Sequence, residues 1–228
     1  MDGKHRSFQE QVEKQPDYRY DVRNEIIINN DTMIFEEEYN VKVLMLNGSA
    51  KANGNTYASL LEVGRQLEKE GIEYEIFQMG GEPVRDCLGC GQCTENGCVF
   101  ADDKVNEFVA KAKEADGFVF GTPVYYAHPS GRIMSFLDRA FYSGGAAFRF
   151  KPGMAVASAR RAGTTASLDA INKYFGINQM PTVGSTYWNM VHGNCPEEVR
   201  QDLEGLQTMR NAAKCMASVS YTHLTLPT

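Results

Sequence analysis

A chain of 228 residues has room for one sizeable domain and an appendage; two full domains would be tight. Its hydrophobic share of 43% and aromatic share of 11% are those of an ordinary globular protein, and a net charge of −6 argues against a nucleic-acid binder with its usual basic face. No apolar run approaches the about 20 residues that cross a bilayer, and the opening MDGKHRSFQEQVEKQ has no apolar core of a secretory signal. The expected setting is therefore the cytoplasm, where cysteine stays reduced and serves metal or redox chemistry.

Residues 1–40 are polar apart from Ile26-Ile27-Ile28, and Asn29-Asn30-Asp31 could close a short hairpin there; a flexible arm is the other reading. From Val41 the pattern alternates strand and helix. Val41–Leu46 reads as a buried strand, followed by the turn Asn47-Gly48-Ser49 and, after Asn53-Gly54-Asn55-Thr56, a helix from about Tyr57 that Gly71 ends. Residues 72–78 alternate like an edge strand, a cysteine-rich segment runs from Cys87 to Cys98, and Asp102-Asp103 caps a helix over 105–112. Residues 117–121 form a short apolar strand ended by Thr122-Pro123, with a helix over 133–141 after it. A strand over 154–158, a helix over 166–175, a fifth strand over 182–190 and an amphipathic helix over 197–216 complete the pattern. The tail 218–228 reads as read-through of adaptor or vector sequence and is set outside the fold, which leaves the domain at 41–217.

Five strands alternating with helices imply a doubly wound parallel α/β sheet, whose ligands bind beyond the carboxyl ends of the strands. Three loops there are rich in special residues: 47–56, 122–131 and 158–165. The first is a turn that aims backbone N–H groups and hydroxyls at a helix start, an anion site. It lacks the Lys-Ser/Thr that a Walker A loop places after its last glycine, and the G-x-G-x-x-G spacing of the dinucleotide fingerprint. What remains is a phosphate monoester ringed by Ser49, Asn55, Thr56 and backbone amides, with Lys51 adding charge. Tyr125 and Tyr126, flat and fixed behind Pro123, suit a planar ring.

Gly48-Ser49 with Gly54-Asn55-Thr56, then Thr122-Pro123-Val124-Tyr125-Tyr126, then Phe136-Leu137-Asp138-Arg139, resemble the NAD(P)H-dependent FMN reductase family over about 41–216. The resemblance implies a flavodoxin-like five-stranded parallel sheet in the order 2-1-3-4-5, with FMN as cofactor and NAD(P)H as donor. It implies that the first loop holds the FMN phosphate and that Pro123, Val124, Tyr125 and Tyr126 lie against the isoalloxazine, with Ser158 and Gly163 on the flavin's other side. The family commonly has Arg in the phosphate loop where this chain has Lys51, and a small pair where it has Ala127-His128. No acid–base or nucleophilic constellation stands out. Asp138-Arg139 reads as a structural pair, Tyr187 and Trp188 as core packing, Arg160-Arg161 as a solvated pair, and His128, His192, Cys195 and Cys215 as ordinary residues.

Cys87-x2-Cys90-x2-Cys93-x4-Cys98 is a compact set of four thiols, whose short steps suit an iron–sulfur cluster better than the two separated pairs of zinc sites. Gly89, Gly91 and Gly97 let the backbone wrap closely. The segment resembles that of the iron–sulfur flavoproteins, which implies a [4Fe-4S] cluster; a metal-free thiol loop and a zinc site remain open. The function expected is a homodimeric FMN oxidoreductase, serving small-molecule donors and acceptors or a redox partner protein. The alternatives are an electron-carrier or flavin-delivery module and a zinc-stabilised domain without flavin.

Overall fold

The structure, a computed structural model, describes residues 40–225. The hairpin or arm expected before Asn40 lies outside them.

β1 (Lys42–Asn47) leads through a loop into α1 (Asn55–Lys69), and β2 (Glu73–Gln78) through a long irregular segment into α2 (Val105–Ala112). β3 (Gly117–Tyr125) turns straight back as β4 (His128–Pro129) before α3 (Gly131–Gly144). β5 (Gly153–Ala159) precedes α4 (Thr164–Ile177), and β6 (Met190–His192) precedes α5 (Pro196–Val199) and α6 (Leu203–Thr225). The parallel strands run in the order β2-β1-β3-β5-β6, with β4 antiparallel to β3. Counting parallel strands alone, this is the expected 2-1-3-4-5 arrangement.

Alternation along the strands fills two cores. Leu44, Leu46, Phe118, Phe120, Ala155 and Ala157 pack with residues of α2, α3 and α4. Val43, Met45, Val119, Met154 and Val156 pack on the opposite face with α1 and α6. Strands buried on both faces are why the sequence shows near-continuous apolar runs, and full burial of each large apolar side chain contributes about 1.5–3 kcal/mol. Aromatic rings knit the first core: Phe108 meets Phe77 and Phe136 edge-on, with centroids 5.2 and 5.4 Å away.

Four expectations need correction. Thr122-Pro123 does not end β3, because β4 supplies an antiparallel partner, with Val124 opposite Pro129 and Tyr125 opposite His128. The linking residues Tyr126 and Ala127 have φ of 51° and 60°, the left-handed pair of a type I′ turn, here without the usual glycine or asparagine. The fifth strand is not continuous over 182–190. Thr182 bridges Gly153 and Met190 lies opposite Ala157, so eight residues on the edge span four on β5 and the excess bulges outward. Tyr187 and Trp188, expected in the core, stand more than half exposed on that bulge. The last helix begins at Leu203 and continues to Thr225, with Val219 and Tyr221 packed on the second core and Tyr221 Oη donating to the Glu70 carbonyl at 2.9 Å. Residues of the tail that was set outside the fold thus extend this helix. No helix among the described residues is long and apolar enough to cross a membrane.

Two polar links between elements can be tested. Tyr174 of α4 donates to the carboxylate of Asp138 on α3, and burial together with that bond pushes its phenol pKa well up. Tyr174→Phe should cost about 0.5–1.5 kcal/mol in urea unfolding, the usual net worth of one hydrogen bond. Glu75 of β2 bridges Lys42 of β1 and Lys111 of α2 at 3.4 and 2.9 Å. Burial works against its charge, but Lys111 and Lys42 outweigh burial and hold the carboxyl below its ordinary range. A depressed folded-state pKa means stabilisation present at neutral pH and lost as pH falls through that value. Glu75→Gln should therefore flatten the acid limb of a stability–pH profile and leave stability above neutrality insensitive to pH at this site.

Candidate functional site

The loop after β1 is built by its own side chains. Asn47 accepts the Ser49 N–H at 3.2 Å, and Ser49 Oγ accepts the Lys51 N–H at 3.1 Å. Gln78, at the end of β2, accepts from Asn47 Nδ2 at 2.5 Å and donates to the Ser49 carbonyl at 2.8 Å, so the neighbouring strand braces the turn. Ser49 is buried and the Lys51 side chain is exposed. The loop delivers the chain to Gly54, the N-cap of α1, which has no side-chain capping bond. Asn55 and Thr56, expected to offer cap chemistry, point elsewhere: Asn55 Nδ2 donates to the Gly193 carbonyl at 2.7 Å, and Thr56 Oγ1 lies 2.7 Å from Ser158 Oγ. The first-turn amides of α1 therefore start a 15-residue helix without a side-chain cap, where the dipole favours an anion.

The other two loops join it. Gly48 N–H donates to the Gly121 carbonyl at 2.9 Å. Ser130, the N-cap of α3, donates from its hydroxyl to the Gly48 carbonyl at 3.3 Å and from its backbone N–H to Thr122 Oγ1 at 3.1 Å. Ser158 is buried between Thr56 and the Thr122 carbonyl, 3.5 Å away. Gly163 closes the group. Its φ is +95°, and a Cβ there would sit 2.4 Å from Ala127 Cα and 3.0 Å from Val124 Cγ1, so the β3–β4 hairpin rests on its bare backbone. The ends of β1, β3 and β5 thus meet where strand order reverses, the ligand position of such sheets. Pro123 and Val124 are half-buried, whereas Tyr125 is more than half exposed and Tyr126 fully exposed. Asn47, Gln78, Thr122 and Ser130 were not singled out from the sequence as site residues; Asn47 and Ser130 carry a legible signal as polar residues flanking a strand end and a helix start.

The cysteine segment lies between β2 and α2. Thr94 and Gly97 exchange two backbone bonds of 3.0 Å, forming a tight turn just before Cys98. Gly97, at φ +108°, leaves no room for a Cβ beside Asn106 Oδ1, which accepts the Cys98 N–H at 2.8 Å; Asn106 Nδ2 donates to the Cys98 carbonyl at 2.8 Å. Burial, then the sulfurs of Cys98, Cys90 and Cys87, push the Cys93 thiol up, while Arg139 works the other way. Among the described residues no three His, Cys, Asp or Glu side chains converge closely enough to hold a metal ion as they stand. Asp138 and Arg139, read from the sequence as one pair, part company. Asp138 bonds Tyr174, while Arg139 is buried and reaches Asp103, the Phe100 carbonyl and Cys98 Sγ. Asp103 also accepts the Val105 N–H at 3.1 Å at the start of α2. His128, Arg160 and Arg161 are exposed.

Residues 41–194 match the family described as NADPH-dependent FMN reductase, and they cover the three converging loops and the cysteine segment. The chain belongs to the NADPH-dependent FMN reductase family. It is thus a flavoprotein oxidoreductase of a family whose flavin is FMN. An iron-sulfur flavoprotein of Methanocaldococcus jannaschii is 34% identical over 188 residues, which cover 78% of this chain and 97% of that one. Among solved structures, a flavodoxin described as a WrbA-like protein from Agrobacterium tumefaciens superposes with a TM-score of 0.56 at 18% identity, over 81% of this chain and 98% of its own. An NAD(P)H:quinone oxidoreductase from Methanothermobacter marburgensis gives a TM-score of 0.58 at 14% identity, over 77% of this chain and 98% of its own. Those two likenesses establish the flavodoxin-like fold for this FMN reductase family member.

Proposed function

We propose that this FMN reductase family member passes electrons between NAD(P)H or a protein donor and a small-molecule or protein acceptor, and that its four-cysteine segment holds a [4Fe-4S] cluster. The observation that carries the flavin reading is the Thr56–Ser158 contact beside a helix start without a side-chain cap, at the point where three loops meet. That site fits a phosphate monoester, because it offers hydroxyls and amides rather than carboxylates. Ser49, Thr56 and the first amides of α1, that of Asn55 among them, would hold the phosphate, with Lys51 contributing charge from the rim. Pro123, Val124, Tyr125 and Tyr126 would border the ring on one side, Ser158 and Gly163 on the other. FMN bound there would supply hydride and single-electron chemistry. The protein's part is to fix the cofactor, shield it from water and orient it. Thr56→Val removes one hydroxyl donor from the phosphate site, and should weaken FMN binding by on the order of 10- to 100-fold in a fluorescence-quenching titration, as for a hydrogen bond to a charged group.

The cysteine donor set fits a cluster. Four sulfurs lie within twelve residues, and Gly89, Gly91 and Gly97 all have positive φ and allow the backbone to draw in around a guest. The Methanocaldococcus jannaschii relative carries the name iron-sulfur flavoprotein, which favours the same reading. Cys87, Cys90, Cys93 and Cys98 would be its ligands, and the cluster would supply one-electron transfer. A homodimer belongs to the same reading, since Tyr125, Tyr126 and Tyr142 stand exposed and are suited to an interface.

Anaerobic purification with an absorption spectrum and metal analysis tests both parts. Flavin peaks with iron and sulfide support the full reading. Flavin without iron sinks the cluster, and a colourless chain that takes up no added FMN sinks the flavin site. Negligible oxidation of both NADPH and NADH by flavin-loaded protein would make it a carrier rather than a reductase.

A further inference from the structure

Arg139 is 1% exposed, and its guanidinium is engaged along its whole edge. One Nη donates to Asp103 and, at 3.4 Å, to the Arg85 carbonyl; the other donates to the Phe100 carbonyl at 2.6 Å. The remaining Nε–H is aimed at Cys98 Sγ, 3.4 Å away. A guanidinium keeps its proton even when buried, so a fixed positive charge and a directed donor stand beside one of the four sulfurs. Asp103 pairs with the far end of the fork, not the end facing sulfur. Asn106 brackets the Cys98 backbone on both its N–H and its carbonyl, which keeps the sulfur at the guanidinium.

We propose that Arg139 is the positioning residue of the cysteine site: it orients Cys98 as a thiolate ligand and biases the bound cluster toward its reduced form. This rests on the cluster reading given above. On reduction the cluster takes up one electron from an external one-electron donor (dithionite in the test below), and no bond in the protein forms or breaks. Electron density on the ligand sulfurs rises, so a fixed N–H donor and cation at one of them stabilise the reduced state more than the oxidised one. The same helix sets the position of both sites. α3 starts at Ser130, which is tied to Gly48 and Thr122 in the flavin loops, and Arg139 lies nine residues further along, about 14 Å of helix rise. Arg132, the second residue of α3, donates to the Glu82 carbonyl and ties the segment leading to the cysteines to the same helix.

The test compares wild type with the double variant Arg139→Gln, Asp103→Asn in full-length, anaerobically reconstituted protein. Removing both buried charges together avoids stranding the carboxylate. The expected result is wild-type FMN affinity and a full iron complement, with two changes at the cluster. Its midpoint under dithionite titration falls by a tenfold shift in the reduction equilibrium, about 59 mV for one electron. Removal of iron by a chelator becomes on the order of tenfold faster, as for loss of an outer-shell partner. Asp103→Asn alone keeps Arg139 and should leave the midpoint at or above the wild-type value. An unchanged midpoint and unchanged chelator rate in the double variant overturn the proposal, leaving Arg139 a structural tie. Should the double variant not fold, Arg139→Lys decides: one ammonium cannot serve Asp103 and Cys98 together, so faster iron loss supports the proposal and the wild-type rate overturns it. Wild-type protein that takes up no iron and sulfide overturns the cluster reading and this inference with it. A loaded wild type with unchanged variants overturns this inference alone.

Discussion

Gly163→Val is expected to raise the FMN dissociation constant by on the order of 100-fold and to lower the unfolding midpoint. Two costs add at this position. An L-residue at φ +95° pays about 1–2 kcal/mol for the left-handed backbone, more when β-branched. Its Cβ would then stand 2.4 Å from Ala127 Cα, and a backbone atom cannot rotate aside as a side-chain tip can. The β3–β4 hairpin must therefore shift, and its turn residues Tyr126 and Ala127 already occupy left-handed conformations that other residues rarely adopt. Pro123 and Val124 move with it, which opens the wall of the proposed ring site. Gly176→Ala is the matched control. Gly176 lies in the same helix with nothing within 4 Å of an added Cβ, so it should gain up to about 1 kcal/mol of helix stability and leave FMN binding unchanged. Equal FMN affinity in the Gly163→Val protein would show that the hairpin does not border the flavin.

Arg139→Met on its own should be the most destabilising single substitution in the cysteine region, about 3–5 kcal/mol in urea unfolding. The value comes less from the lost contacts than from what stays behind: Asp103, whose side chain is 6% exposed, would be a buried carboxylate without its cation. The Phe100 carbonyl would lose its donor as well. Against a whole-domain stability of about 5–15 kcal/mol, that is a large share. The loss should be local first, with residues 85–103 becoming sensitive to limited proteolysis before the sheet unfolds. Adding Asp103→Asn should restore part of the stability, and no recovery in the double variant would mean that the carboxylate is not the source of the cost.

The central strands were legible because their chemistry is redundant. Val41–Leu46, Gly117–Gly121 and Met154–Ser158 are apolar on both faces, and a strand covered by helices on both sides leaves no other pattern. The convergence of three loops followed from sheet topology alone. What escaped the sequence was geometry that residue types do not announce. The β3–β4 turn uses Tyr126 and Ala127 where glycine or asparagine would have signalled it, and Pro123 looked like a terminator. The run from Thr182 to Met190 has strand-like composition, yet Gly184 and Ser185 fall in its bulge rather than in a ladder. Arg139 and Asp138 are neighbours in sequence but about 100° apart around a helix of 3.6 residues per turn. One therefore meets Tyr174 and the other the cysteine segment, a partnership the fold makes across a sequence separation of 41 residues between Arg139 and Cys98. The last helix outran its expected end because Val219 and Tyr221 found the second core, although their surroundings in the sequence carry no helical period.

The surplus of chain between Thr182 and Met190 also governs how this molecule can associate. An open sheet has two rims, and either could be extended by a strand from another copy, the usual route to unwanted polymerisation. On one rim the swelling breaks the ladder after a single bridge and leaves β6 only three residues long. On the other, β2 carries the exposed Glu73, while Glu75 is tied to Lys42 and Lys111. Continuous sheet pairing between copies is thus disfavoured at the broken rim, which leaves helix faces and loops as the surfaces open to association. The β3–β4 hairpin, with its exposed Tyr125 and Tyr126, is one such loop.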